Sequence, residues 1–180
     1  AEGELDLRLA VSEFISAYEG IDYSPAEIII SNGGRPLIYA VFRSIVDEGD
    51  KVIYPVPSSN NNHYVHFTSG QHIQIEATAD NNFMPTASQI APHIKGATLL
   101  ALCSPLNPTG TVFSKEELEA ICDLVIAENE SRSEGVKKLY VMYDQIYWAL
   151  TYGETKHYNP VSLRPKMKEY TVFIDGISKA

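Results

Sequence analysis

Apolar and polar positions along this chain switch repeatedly between a helical and a strand period. Over residues 5–18, Leu7, Val11, Phe14, Ile15 and Tyr18 recur at helical spacing and predict an amphipathic helix. Ile28-Ile29-Ile30 reads as a short strand, followed by Asn32-Gly33-Gly34 and a helical stretch over 36–46 with Pro36 near its start. Glu48-Gly49-Asp50 ends that helix, and Val52-Ile53-Tyr54 opens the next strand. A Pro- and Asn-rich segment at 55–62 leads to a strand over 72–75. Thr86 with Gln89, and Ser114 with Glu117, have capping-box spacing and predict two helix starts, the second leading into 118–127. Residues 99–102, 139–143 and 171–174 are short apolar, β-branched or aromatic runs and read as strands, whereas 130–135 reads as a polar surface loop. No internal repeat or low-complexity tract interrupts the series.

Alternation of this kind predicts an α/β fold: a mainly parallel sheet with helices on both faces, in three α/β/α layers. The 180 residues, 44% hydrophobic and 21% charged, suffice for one domain with a core. A net charge of −9 argues against nucleic acid or an anionic membrane as partner, and no apolar run approaches the ~20 residues that span a bilayer. Cys103 and Cys122 are too few for a disulfide framework and lack metal-ligand spacing, so both are expected as buried, reduced thiols. With an acidic start unlike a secretion signal, they make the cytoplasm the expected location. The first helical pattern begins within a few residues of Ala1, and Ala180 directly follows a strand-like run. A fragment of a longer protein is therefore expected.

Ligands of parallel sheets bind outside the carboxyl ends of the strands, and four unusual clusters each follow a predicted strand. In Asn32-Gly33-Gly34-Arg35, two glycines before a helix let backbone N–H groups approach an anion, with Arg35 able to assist; a plain tight turn is the alternative. It is neither a Walker loop nor a dinucleotide fingerprint. In the segment 104–110, Pro105 and Pro108 stiffen the loop around Asn107, which suits recognition of a ligand oxygen, although Asn, Pro and Gly are also ordinary turn residues. Asp144 closes a buried run and needs a partner, because an unpaired buried carboxylate is costly; Tyr147 can point its phenol to the same side. An Asp helix cap beside a core tyrosine would look the same. Ser178-Lys179 places an amine at a strand end, where burial can lower its pKa and make it a nucleophile, or where it is simply solvated.

Taken in order, Asn32-Gly33-Gly34-Arg35, Asn107-Pro108-Thr109-Gly110, Asp144-Gln145-Ile146-Tyr147 and Ser178-Lys179-Ala180 resemble the class I/II, fold-type I aminotransferases over nearly the whole chain. The resemblance implies pyridoxal 5'-phosphate as cofactor and makes residues 1–180 the central part of the cofactor-binding large domain. An N-terminal arm and a C-terminal small domain would lie outside the chain. It implies that Lys179 forms the Schiff base and shuttles the Cα proton, and that Asp144 keeps the pyridine nitrogen protonated. Asn107 and Tyr147 would hydrogen-bond the ring's 3' oxygen; Gly33, Gly34, Arg35 and Ser178 would hold the phosphate.

The implied reaction is amino-group transfer between an amino acid, with a tilt toward aspartate, and a 2-oxo acid, in a homodimer active in amino-acid biosynthesis. A β-lyase, an aminocyclopropane carboxylate synthase, or a regulator with an aminotransferase-like domain would share these residues. The chain departs from the family at Ser59, where a ring-stacking aromatic is usual and Tyr64 is a neighbouring substitute, and at Gly176, where many relatives carry a Ser or Thr phosphate ligand. Asn62-His63 resembles an Asn-His pair of aspartate aminotransferases, one residue displaced, which would put His63 behind Asp144; a surface or loop histidine is the equal alternative. The family's further phosphate arginine, its carboxylate arginine and the tyrosine that reaches the partner's phosphate fall outside 1–180. These residues alone are therefore expected to bind cofactor poorly and not to turn over.

Overall fold

The computed structural model describes residues 2–179. Five strands form one parallel sheet: β1 (Lys51–Val56), β2 (Gln71–Glu76), β3 (Ala97–Cys103), β4 (Tyr140–Asp144) and β5 (Thr171–Ile174). Their order is β2-β1-β3-β4-β5, with β1 paired to both β2 and β3. The helices are α1 (Leu5–Glu19), α2 (Gly34–Ile45), α3 (Asn61–Phe67), α4 (Ala87–Ile90), α5 (Lys115–Ser131) and α6 (Pro160–Leu163).

Side-chain alternation in the strands builds two cores. Val52 and Tyr54, Leu99 and Ala101, and Met142 pack with Val41, Phe42 and Val46 from the α2 side and Val65 of α3. Ile53, Leu100, Leu102, Val141 and Tyr143 face the other way, against Leu118, Ile121 and Val125 of α5 and Ile15 of α1. The three-layer α/β expectation holds. The central strand β3 is apolar on both faces and buried over residues 97–102, so truncating Leu100 to alanine should cost about 2–5 kcal/mol. β2 lies at one edge and carries exposed Gln71, His72, Gln74 and Glu76, which suit an unpaired flank.

Both predicted helix starts are present. Thr86 and Gln89 form the reciprocal capping box. At α5 the Ser114 side chain accepts from the Glu117 N–H (3.1 Å), but the Glu117 carboxylate turns away to the Ala87 N–H, joining two helices instead of closing its own box. At the other end of α5, the buried Asn129 amide donates to the Leu139 carbonyl (2.9 Å) and accepts from its N–H (2.8 Å), so Leu139 leads into β4 through a side-chain mimic of strand pairing. Cys122 is buried as expected, whereas Cys103 is only partly buried; both are free, and desolvation pushes both up to about 12.

One predicted strand is missing from the sheet, and one helix was not predicted. Ile28-Ile29-Ile30 is extended but joins no sheet: Ile29 is 61% exposed, and the Ile30 N–H donates to the Glu2 carbonyl (3.0 Å). Three consecutive β-branched residues favour an extended backbone, but among the described residues no strand lies beside them to pair with. Conversely, α3 was concealed by its Asn-rich start. It is seven residues long, and buried Asn61, Val65 and Thr68 form its inward stripe at i, i+4 and i+7 spacing.

Candidate active site

The β1–β3 ladder runs only from Lys51↔Ala97 to Ile53↔Leu100, while both strands continue beyond it. Pro55, which has no N–H, lies just past its end. Connections leave in opposite directions on either side of this point, which is where open α/β sheets place ligands. A cleft of about 220 Å³ sits here, and the ends of β3, β4 and β5 all contribute to it, with Ser59 following β1.

Asp144 ends β4 in register with Cys103 of β3 and Ile174 of β5 and points into the cleft. One carboxylate oxygen accepts from the Ile146 N–H (3.1 Å). Burial pushes the Asp144 carboxyl above its ordinary value; the Ile146 hydrogen bond opposes this, and the nearby Asp175 charge adds to it. The turn it caps brings Tyr147 to the same cleft, and the Asn107 amide donates to the Tyr147 hydroxyl at 3.3 Å. Asn107 is held by its loop. The Gly110 N–H donates to the Leu106 carbonyl (2.7 Å), and the Leu106 N–H donates to the Thr111 carbonyl (2.8 Å). The Ser104 N–H donates to the Asp144 carbonyl (3.0 Å), so the loop is anchored to the end of β4.

The opposite wall is the start of α2. Gly33 has φ +97°, which L side chains rarely adopt, and as the N-cap it brings no side-chain hydrogen bond to the helix. The first-turn N–H groups of Gly34 and Arg35 are therefore uncapped where these residues line the cleft. Gly33 shapes the turn and does not itself line the cleft. Ser178 and Lys179 reach the cleft from beyond β5, both exposed.

Ser59, Asn61 and Tyr64, from the β1–α3 connection and α3, supply another wall. The Tyr64 ring packs on Phe42 with centroids 5.4 Å apart. Burial raises its hydroxyl's pKa, Arg35 lowers it, and Asp144 raises it. Tyr64 and Asn61 escaped firm assignment from sequence because α3 did; their i, i+3 spacing was the available signal. His63 is exposed on α3 and absent from the cleft, so it does not stand behind Asp144: a shift of one residue rotates a helical side chain by about 100°, here to solvent. Gly176 has a local steric reason. A Cβ there would come within 2.9 Å of Ile146 Cδ1, so a Ser or Thr would require Ile146 to move.

The sequence pattern of the family described as Aminotransferase class I and II matches residues 1–180, and the chain belongs to that family. It is 34% identical to an aspartate aminotransferase of Geobacillus stearothermophilus over 164 residues, 90% of this chain and 39% of that protein. It is 31% identical to an aspartate aminotransferase of Bacillus subtilis over 180 residues, 99% of this chain and 44% of that protein. Among solved structures, a mutant aspartate aminotransferase of Thermus thermophilus superposes with a TM-score of 0.86 at 30% identity, over 97% of this chain and 45% of that one. The aromatic aminotransferase of Pyrococcus horikoshii gives 0.89 at 26% identity, over 99% and 46%. The chain thus spans less than half the length of the relatives it matches.

Enzymes of this family depend on pyridoxal phosphate. The residues present fit that group. Among the described residues no Lys or Arg forms an ion pair with Asp144, and a protonated ring nitrogen is the cationic donor such a buried carboxylate lacks. The uncapped start of α2, with Arg35, suits a phosphate. The Tyr147 hydroxyl, accepting from Asn107, is left with its own proton to donate.

Proposed function

We propose that the protein containing this chain is an amino-acid aminotransferase, exchanging an amino group between an amino acid, aspartate by preference, and a 2-oxo acid. The observation that carries the reading is the meeting of Asp144, the Asn107–Tyr147 pair, the start of α2 and Lys179 around one cleft. Pyridoxal phosphate, when bound, supplies an electron sink for the charge left on breaking the substrate's Cα–H bond. Lys179 provides the amine that fixes the cofactor and moves the Cα proton. Asp144 holds a proton on the ring nitrogen through its buried negative charge. Asn107 and Tyr147 orient the ring through its 3' oxygen, and Gly34, Arg35 and Ser178 hold the phosphate on the turn that Gly33 allows.

Residues 1–180 form the central part of a larger cofactor-binding domain, a reading supported by their covering 39–46% of the relatives. A homodimer is part of the proposal, supported by apolar residues exposed on α1, including Phe14 and Tyr18. So are a cytoplasmic location, with which the two free thiols are in keeping, and a role in amino-acid biosynthesis, with which the aminotransferase relatives are in keeping. No helix among the described residues is long and apolar enough to cross a membrane. The test is product analysis on the full-length protein loaded with cofactor and given aspartate and a 2-oxo acid. Formation of a new amino acid together with oxaloacetate supports the reading; elimination products without amino-group transfer overturn it.

A further inference from the structure

Directly after Asp144, and pointing away from the cleft, lies a polar cluster that the proposed chemistry does not use. Its centre is Gln145, whose side chain is fully buried. The Gln145 amide nitrogen donates to Glu19 Oε1 (2.7 Å) at the end of α1 and to Asp175 Oδ2 (3.2 Å) just beyond β5. Its oxygen accepts from Asn159 Nδ2 (2.8 Å) and lies 3.2 Å from His157 Nε2, both in the β4–β5 connection. One primary amide thus has its two protons and both lone pairs engaged by four groups on three segments. Its backbone adds a further link, the Gln145 N–H donating to the Ile174 carbonyl (2.9 Å).

We propose that Gln145 is a positioning residue, whose buried amide locks the end of β4 to the end of β5 so that Asp144 and the Ser178-Lys179 segment present their groups to one cleft. This rests on the function proposed above. β5 ends at Ile174, and only Asp175, Gly176 and Ile177 separate it from Ser178. Asp175 is pinned at both oxygens: Oδ2 by Gln145, and Oδ1 by the Gly176 N–H at 2.7 Å. The segment that carries Lys179 therefore leaves the sheet from a fixed point. Ile177, between this point and Ser178, is exposed. Gln145 suits the centre because the cluster presents two carboxylates on one side and two N–H donors on the other. A glutamate there would set a third carboxylate against two, and an apolar residue would leave four buried polar partners unmatched.

The experiment uses the full-length protein stripped of cofactor. Three readouts are taken: affinity for added pyridoxal phosphate, the rate at which borohydride-trappable label appears on Lys179, and thermal unfolding. Gln145→Glu should slow labelling of Lys179 by about tenfold or more, since sub-ångström misplacement of a reacting group carries costs of that order. Adding Asp175→Asn to it reverses donor and acceptor across the β4–β5 link, leaving only the Glu19 contact unmatched, and should restore part of the rate. Gln145→Met should slow labelling at temperatures where unfolding shows it folded. A Gln145→Glu protein that labels at the wild-type rate, or a double variant that regains stability without regaining the rate, overturns the inference. Failure of the wild-type protein to take up pyridoxal phosphate would instead overturn the functional reading, so the two are separable.

Discussion

The side-chain amide of Asn107 donates a 3.3 Å hydrogen bond to the hydroxyl of Tyr147, forty residues further along the chain. The contact joins the loop after β3 to the turn after β4. By occupying a lone pair of the phenol oxygen, it aims the Tyr147 O–H elsewhere. In the proposed site that direction is the ring's 3' oxygen.

Asn107→Ala and Tyr147→Phe should therefore each weaken pyridoxal phosphate binding by roughly tenfold, the worth of one hydrogen bond made in a water-poor site. The double variant should lose less than the product of the two, because either change disables the same pair. Titration of the cofactor-free full-length protein with pyridoxal phosphate measures all four affinities. Strict additivity would separate the two residues.

Lys179 should be the residue that borohydride fixes to the cofactor. Lys166 and Lys168 are the nearest competitors in sequence, but Lys166 pairs with Glu169 (2.9 Å) and Lys168 with Glu27 (3.2 Å), and neither lines the cleft. Mass spectrometry that locates the label on either of them would remove Lys179 from its role.

Asp144→Ala should reduce amino-group transfer by about 10²-fold or more while leaving covalent attachment at Lys179 intact, because what is lost is electrostatic support of the ring. Steady-state turnover and borohydride labelling of the same sample separate the two effects. Near-normal turnover would take Asp144 out of the mechanism.

The same residue makes a prediction about stability. Burial raises the Asp144 pKa above the unfolded value of 3.8, so the folded state binds this proton more tightly than the unfolded chain does. The ionised group therefore costs stability, a cost absent well below the unfolded value and fully developed once pH exceeds the folded value. Asp144→Asn should unfold at a higher temperature than wild type at pH 7 in the absence of cofactor, by about 2–4 °C for each kcal/mol recovered. The gain should vanish as pH approaches 4. His157, held down to about 4 by burial, titrates with the opposite sign, but it does so in both proteins and drops out of the difference. Thermal melts of both proteins across pH 4–8 decide the matter; an unchanged or lower melting temperature for the variant at pH 7 would contradict it.

Ser59 faces the cleft with little surface to offer a planar ring, whereas Tyr64 lines the same cleft backed by Phe42. Ser59→Trp should tighten pyridoxal phosphate binding by about tenfold or less, given roughly 0.5–1.5 kcal/mol for an added aromatic contact. Cofactor titration of the two proteins is the check. Weaker binding by the Trp variant would mean that Tyr64 already covers the ring and that the small Ser59 makes room for it.

By itself, the sequence determined the alternation of helices and strands, because burial on one stripe or on two faces leaves a period that can be read directly. It determined the four chemical clusters too: glycines before α2, prolines about Asn107, an acid ending β4 and a lysine past β5 are each local choices of residue type. Only the tertiary structure decided that Ile28–Ile30 would join no sheet among the described residues, since β-branched residues extend a chain whether or not a neighbouring strand exists. It turned the Glu117 carboxylate from its own helix to Ala87, and it left His63 in solvent. It also gathered Glu19, Gln145, His157, Asn159 and Asp175 around one amide. Hydrogen bonds between residues up to 126 positions apart leave no period or spacing in a sequence, because what pairs them is the closing of the sheet and not the order of the chain.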